Sequence, residues 1–269
     1  MSAQNVPEKL QAWFAAHPRF VLAFSGGSDS AYLFYAATVC GADFAACYVK
    51  SAFQPEFELE DARRLAKELG REIDIIELDV LADEKVRANP KNRCYFCKQR
   101  IFSVICDRAR ALGHDLVIDG TNASDDADDR PGMRALRELR VESPLRSCGI
   151  SKAEVRALSK QAGLFTWNKP AYACLATRIP ADTPIDAETL EKIERAESML
   201  ADMGFSDFRA RIAGNGVRLE LTEGDMARLL ERRAEVCAAL AGDFDGISLD
   251  LRPRVGLQSE LNWMKTGET

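Results

Sequence analysis

Six consecutive residues, Ser25-Gly26-Gly27-Ser28-Asp29-Ser30, follow a short apolar run and open a helical stretch. Paired glycines let a backbone turn approach a ligand closely, and such a turn aims its N–H groups and the helix N-terminus at an anion. The serines add hydroxyl donors and Asp29 adds a carboxylate. The Gly-Lys-Ser/Thr of a Walker loop is missing, so this is a phosphate cradle of another kind. The bland alternative is a glycine-rich turn without a ligand; hexapeptide and context together argue against it. Gly120-Thr121-Asn122 closes a later strand and belongs at the same sheet edge. It leads into Asp125, Asp126, Asp128 and Asp129, then Arg130-Pro131-Gly132. A carboxylate there suits Mg²⁺ on phosphates, with Asp125 the first choice. A solvated loop explains most of the other aspartates better.

Cysteine is the other reactive residue type, with eight in the chain. Cys40, Cys47, Cys106 and Cys237 lie inside apolar segments and read as small buried residues. Cys148 falls in a loop with no specific role. Cys94 and Cys97 form C-x-x-C in Asn92-Arg93-Cys94-Tyr95-Phe96-Cys97-Lys98, at a helix start where both thiols share one face near two cations. A four-thiolate zinc site needs a second such pair, which is absent. A third thiol, Cys174, sits in the cation-flanked segment KPAYACLATR. Three thiolates with an open fourth position suit a [4Fe–4S] cluster with one free iron, although any one of these cysteines alone would read as incidental.

The elements that must position these groups alternate. Strand-like runs at 19–24, 42–49, 72–78 and 115–119 alternate with helical stretches at 29–39, 56–69 and 95–112. A short fifth strand is expected at 141–144 and a capped helix at 151–162. This pattern predicts an α/β fold, a parallel sheet with helices on both faces, whose ligands gather at the strands' carboxyl ends. Prolines 170, 180 and 184 punctuate a connecting segment. Beyond it, a helix at 186–203, two strands around Gly214-Asn215-Gly216, a helix at 223–240 and a strand at 246–251 make a small α+β unit. The organisation expected is 1–165 for nucleotide binding, 166–184 as the loop carrying Cys174, 185–255 for substrate binding and oligomerisation, and 256–269 as a tail.

Composition narrows the class. The chain has 269 residues and a net charge of −6, which argues against sequence-blind binding of nucleic acid. No apolar run is long enough to span a membrane, and the first twenty residues lack a signal-peptide pattern, so a cytoplasmic location with reduced cysteines is expected. Two isolated histidines, His17 and His114, make histidine-based zinc or nucleophile chemistry a poor fit.

SGGSDS resembles the signature of the PP-loop ATP pyrophosphatases, which cleave ATP between the α and β phosphates and adenylate a substrate. Taken in order, SGGSDS, NRCYFCK, DGTNASD with the following RPG, KPAYACLATRIP and a late helix-plus-FRARIAG pattern resemble the LarE family over roughly residues 20–251. That resemblance implies an ATP-dependent sulfur transferase of nickel-pincer nucleotide biosynthesis, which makes the lactate racemase cofactor. A carboxylate of a pyridinium dicarboxylate mononucleotide would be adenylated with release of pyrophosphate. Sulfur would then displace AMP to give a thiocarboxylate. Two sulfur sources occur in the family, sacrifice of one cysteine's own sulfur or a sulfide on a [4Fe–4S] cluster held by three cysteines. Cys174 matches the sulfur-site cysteine of either branch, and Cys94 with Cys97 point to the cluster branch.

The resemblance further implies that Ser25, Gly26, Gly27, Ser28, Asp29 and Ser30 cradle ATP with Mg²⁺ near Asp29. Gly120, Thr121, Asn122 and Asp125 would complete the nucleotide site. Lys98 fits a cation on the adenylate or triphosphate and, equally, a solvated lysine. Arg209 and Arg211, two apart on one strand, would bind the substrate phosphate with Glu197. A homo-oligomer is implied, with nickel-insertion and carboxylase enzymes of the same pathway as further partners. Rival readings are an ammonia-dependent ligase resembling NAD or GMP synthetase, a tRNA thiolase and a nucleotide-binding module without catalysis. The first leaves the cysteines unexplained, the second sits badly with the acidic balance, and the third predicts no pyrophosphate release.

Overall fold

The computed structural model describes residues 5–125 and 131–254; Asp126, Asp128, Asp129, Arg130 and the expected tail 256–269 lie outside the described residues. The chain divides into two compact units, Met1–Lys169 and Pro170–Thr269.

In the first unit, α1 (Glu8–Ala16) leads to β1 (Arg19–Ala23), α2 (Ser28–Val39), β2 (Asp43–Lys50), α3 (Glu56–Glu68) and β3 (Asp74–Glu77). A short α4 (Glu84–Arg87) precedes the long α5 (Arg93–Ala111), β4 (Val117–Ile118), α6 (Pro131–Glu138), α7 (Pro144–Ser147) and α8 (Lys152–Gln161). The strands lie in the order β3-β2-β1-β4, all parallel. Both faces of the sheet are covered, which is why the strands read as near-continuous apolar runs rather than alternating ones. Successive side chains still point to opposite faces. Phe20 and Leu22 of β1 join α2 and α8 in one core, while Val21 joins Cys47, Val49, Phe102 and Ile105 in the other. Ser28 and every residue from Ser30 to Ala37 are buried, so α2 is apolar nearly all round, as a helix enclosed by its neighbours must be.

The α/β class expected from the alternation is the fold observed. Two local readings differ. The fifth strand at 141–144 is reduced to one parallel bridge, Ile118 to Glu142, because Pro144 has no N–H for a ladder and begins α7. The helix α1, whose pattern was not singled out, packs Leu10 and Phe14 into the first core.

The second unit contains α9 (Ala187–Asp202), β5 (Arg209–Ala213), β6 (Gly216–Glu220), α10 (Glu223–Glu231), α11 (Arg233–Leu240) and β7 (Ile247–Leu249). β6 is the central strand, antiparallel to β5 and parallel to β7. The single helix expected over 223–240 is two, broken where Arg232 leaves helical geometry. The break lets Leu229 on one side and Val236 and Leu240 on the other reach one core.

Candidate active site

The carboxyl ends of β1 and β4 bring the two glycine-bearing loops together. Gly26 has a φ of +73°, a conformation that disfavours side chains, and a Cβ there would come within 3.1 Å of the Glu58 carbonyl. Ser30 Oγ donates to the Gly27 carbonyl at 3.1 Å and lies 3.1 Å from Ser25 Oγ, which ties the loop to the first turn of α2. Gly120 packs directly on that turn, since a Cβ would lie 2.7 Å from Ser30 N. The GTN segment therefore needs glycine in order to touch the helix N-terminus.

Asp119 anchors the segment after β4. It accepts from Thr121 N and Ser143 Oγ at one oxygen, at 3.2 and 2.6 Å, and from Thr121 Oγ1 at the other, at 2.6 Å. Asn122 is buried, and its Oδ1 accepts from Ser124 N at 2.8 Å. Asp125 Oδ2 accepts from Asn122 N at 3.0 Å, so one of its oxygens closes this turn.

Asp29 is a half-satisfied carboxylate at the start of α2. Its Oδ2 accepts a 2.6 Å hydrogen bond from Lys152 Nζ, and the same ammonium donates to Ser28 Oγ at 2.8 Å. Its Oδ1 is buried without a hydrogen-bond partner. Burial pushes the Asp29 carboxyl above its usual pKa against the opposing pull of Lys152, and nearby Asp125 pushes the same way as burial. An unsatisfied, partly dehydrated carboxylate oxygen fits a divalent cation, because oxygen donors are what Mg²⁺ takes.

Lys152 was not singled out from the sequence; neither was Lys169, whose Nζ pairs with Asp61 at 2.7 Å and lies 3.5 Å from the Gly26 carbonyl. Lys98 is half-buried, with its stem against Gly132, where a Cβ would sit 2.9 Å from Lys98 Cδ. The glycine of the RPG motif thus makes room for that lysine.

Cys94 is exposed and Cys97 half-buried in the first two turns of α5, in the first unit. Cys174 belongs to the second unit, half-buried and at the start of a 3₁₀ turn, Leu175–Arg178. Among the described residues, no group of three His, Cys, Asp or Glu side chains is gathered in a way that would hold a metal ion. Burial raises the thiol pKa of Cys40, Cys106 and Cys148 and pushes that of Cys47 up to about 12, as inert cysteines require. Of the four cysteines expected to be buried, Cys47 is, Cys40 and Cys106 are half-buried, and Cys237 corrects the expectation outright. It is exposed on α11, whose buried residues are Val236 and Leu240.

In the second unit Arg178 has no solvent exposure and grips Glu197 with two hydrogen bonds, 2.9 and 3.0 Å long. It also donates to the carbonyls of Ala173 and Cys174, at 2.6 and 3.3 Å, which fixes the backbone at the candidate sulfur residue. Burial works to lower the Arg178 pKa, but Glu197 more than offsets it. Glu197 further accepts from Tyr172 Oη at 2.5 Å and Ala210 N at 2.9 Å. Arg209 is buried, donates to the Ala171 carbonyl and has its pKa lowered to about 10 by dehydration and by Arg178 and Arg254. Arg211 pairs with Glu220 and reaches the Thr177 carbonyl. Arg209, Arg211 and Glu197 therefore all belong to the network around the Cys174 segment. A fully buried arginine, Arg178, joins it without a sequence signal, since a charged residue is ordinarily read as surface.

No family model matches the chain. An uncharacterized protein of Synechocystis is 39% identical over 216 residues, covering 80% of both chains. The pyridinium-3,5-bisthiocarboxylic acid mononucleotide synthase of Lactiplantibacillus plantarum is 32% identical over 236 residues, covering 87% of this chain and 86% of its own. This chain belongs to the LarE family. An uncharacterized protein of Methanocaldococcus jannaschii, 28% identical over 237 residues, is a more distant relative. No helix among the described residues of this LarE-family chain is long and apolar enough to cross a membrane.

Proposed function

We propose that this LarE-family chain is an ATP-dependent sulfur transferase that converts a carboxylate of a pyridinium dicarboxylate mononucleotide into a thiocarboxylate. The observation that carries this reading is the seating of Ser25–Ser30 on the N-terminus of α2, with the buried unpaired oxygen of Asp29 beside it. The kinship with the pyridinium-3,5-bisthiocarboxylic acid mononucleotide synthase supplies the substrate class.

In the first half-reaction the substrate carboxylate attacks the α-phosphorus of ATP, and the α–β bridging oxygen leaves with pyrophosphate. The loop amides of Gly26, Gly27 and Ser28 would stabilise the leaving charge, as donors fixed before the reaction do, with the hydroxyls of Ser25 and Ser30 bracing the cradle. Asp29, with Asp125, would hold the Mg²⁺ that neutralises the phosphates, and Lys98 would supply a further cation. Gly120, Thr121 and Asn122 would wall the same edge. In the second half-reaction sulfur attacks the acyl carbon and AMP departs. Arg209 and Arg211 would bind the substrate phosphate, with Glu197 holding the network that orients them.

For the sulfur source, Cys94, Cys97 and Cys174 fit a [4Fe–4S] cluster in kind, being three thiols of which none is deeply buried. Bound there, a cluster with one open iron would supply an exchangeable sulfide. Cys174 would otherwise give up its own sulfur. A homo-oligomer is part of the same proposal.

The test incubates the protein with ATP, Mg²⁺ and the pyridinium dicarboxylate mononucleotide. Pyrophosphate and AMP in equal amounts, with the mass gain of an oxygen-to-sulfur exchange in the substrate, are expected. With ammonium added, pyrophosphate and an amidated product would favour the ligase reading instead, and no pyrophosphate would end the enzymatic one.

A further inference from the structure

Lys152 stands where helix energetics disfavour a cation. It is the first residue of the ten-residue helix α8, whose N-terminus carries partial positive charge. The capping box of Ser151 and Glu154 satisfies that end of the helix without it. Its backbone N–H is also committed, donating to Ser124 Oγ at 3.0 Å in the loop after β4. The side chain is thus launched from a fixed point toward the phosphate loop, where it spans Asp29 and Ser28. Both ends of the ion pair are about three-quarters buried, with side-chain exposures of 28% for Lys152 and 23% for Asp29.

This arrangement weakens cation binding at Asp29 without nucleotide phosphates to offset the charge. A divalent cation sits about 2.1 Å from a carboxylate oxygen. With the ammonium 2.6 Å from Asp29 Oδ2, the two like charges would lie within a few ångströms of each other and repel. The other oxygen, Oδ1, is buried and unpartnered, so Asp29 is half-satisfied while Lys152 holds it. Asp125 and Arg156 complete the charges acting on Asp29.

We propose that Lys152 is the resting counter-ion of the phosphate loop: it occupies Asp29 in the nucleotide-free enzyme, then releases it to the divalent cation arriving with ATP and turns its ammonium to the phosphates. This deepens the adenylation reading and rests on it. A lysine suits the exchange, because its point charge rides on a flexible four-carbon stem, whereas a planar guanidinium would hold the carboxylate in one geometry. Metal and ammonium compete for one carboxylate, so the enzyme without nucleotide has little affinity for the cation, and removing the competitor raises that affinity.

The experiment measures Mn²⁺ binding to the full-length, nucleotide-free protein from loss of the free-ion electron paramagnetic resonance signal. Lys152→Met is expected to bind Mn²⁺ about tenfold more tightly than wild type, and the gain disappears in Lys152→Met/Asp29→Asn. The same variant is expected to need about tenfold more ATP for half-maximal pyrophosphate release, having lost a phosphate cation. Lys152→Gln serves as a second neutral variant should the first fold poorly. Equal Mn²⁺ affinity in wild type and both neutral variants would overturn the proposal, as would a gain that survives Asp29→Asn. Failure of the wild type to release pyrophosphate would instead remove the adenylation reading, while the Mn²⁺ comparison still decides whether Lys152 blocks Asp29.

Discussion

Arg178 is wholly enclosed, and Glu197 is the carboxylate that meets its charge. Removing one partner of a buried pair leaves the other uncompensated, so Glu197→Ala is expected to destabilise the protein by about 3–5 kcal/mol, read as a lowered urea midpoint. An unchanged midpoint would show that water reaches Arg178. Two glycines offer a sharper contrast. At Gly120 the neighbour of an added Cβ is the backbone of Ser30, at Gly132 the flexible stem of Lys98. Gly120→Ala is therefore expected to cost about 1–3 kcal/mol and to impair ATP use together. Gly132→Ala should shift Lys98 at little cost in stability, and a raised KM for ATP would place that lysine on the phosphates. An unchanged KM would return Lys98 to the solvated reading.

At the scale of elements, turns and caps were the legible features. Ser151 and Glu154 read as a capping box from spacing alone, and both reciprocal hydrogen bonds are present. Ser151→Ala is expected to cost about 1 kcal/mol and to loosen the start of α8, from which Lys152 projects. The break of the last long helix at Arg232 was not legible, because an apolar pattern continuing past residue 231 gives no reason to stop. In β6, Glu220 carries a pKa below the ordinary value: burial opposes this, but the hydrogen bond and charge of Arg211, with Arg218, prevail. A depressed carboxylate contributes stability above its unfolded pKa, near 4.5, and that contribution is lost as pH falls through the lower folded value. Glu220→Gln should accordingly narrow the stability difference between pH 6 and pH 3, followed by thermal unfolding. An identical pH profile would show that the pair adds nothing.

At the scale of the whole molecule the open question is the sulfur source. Anaerobic reconstitution should give about four irons per chain, lost in Cys94→Ser, Cys97→Ser and Cys174→Ser but retained in Cys237→Ser, whose thiol is exposed yet belongs to none of these segments. Iron absent from the wild type would direct attention to the intact mass after turnover and loss of hydrogen sulfide from Cys174. The α/β class, the glycine- and serine-rich turn after β1 and the cysteine pair were all present in the sequence, because period, turn residues and spacing are local properties of the chain. The pairing of Asp29 with Lys152 spans more than a hundred residues and that of Arg178 with Glu197 crosses from a loop to α9. Those contacts, with the unsatisfied oxygen of Asp29 and the exposure of Cys237, were decided only by tertiary structure. Which charge meets which, and what water is excluded, depends on elements brought together by packing rather than by neighbourhood in the chain.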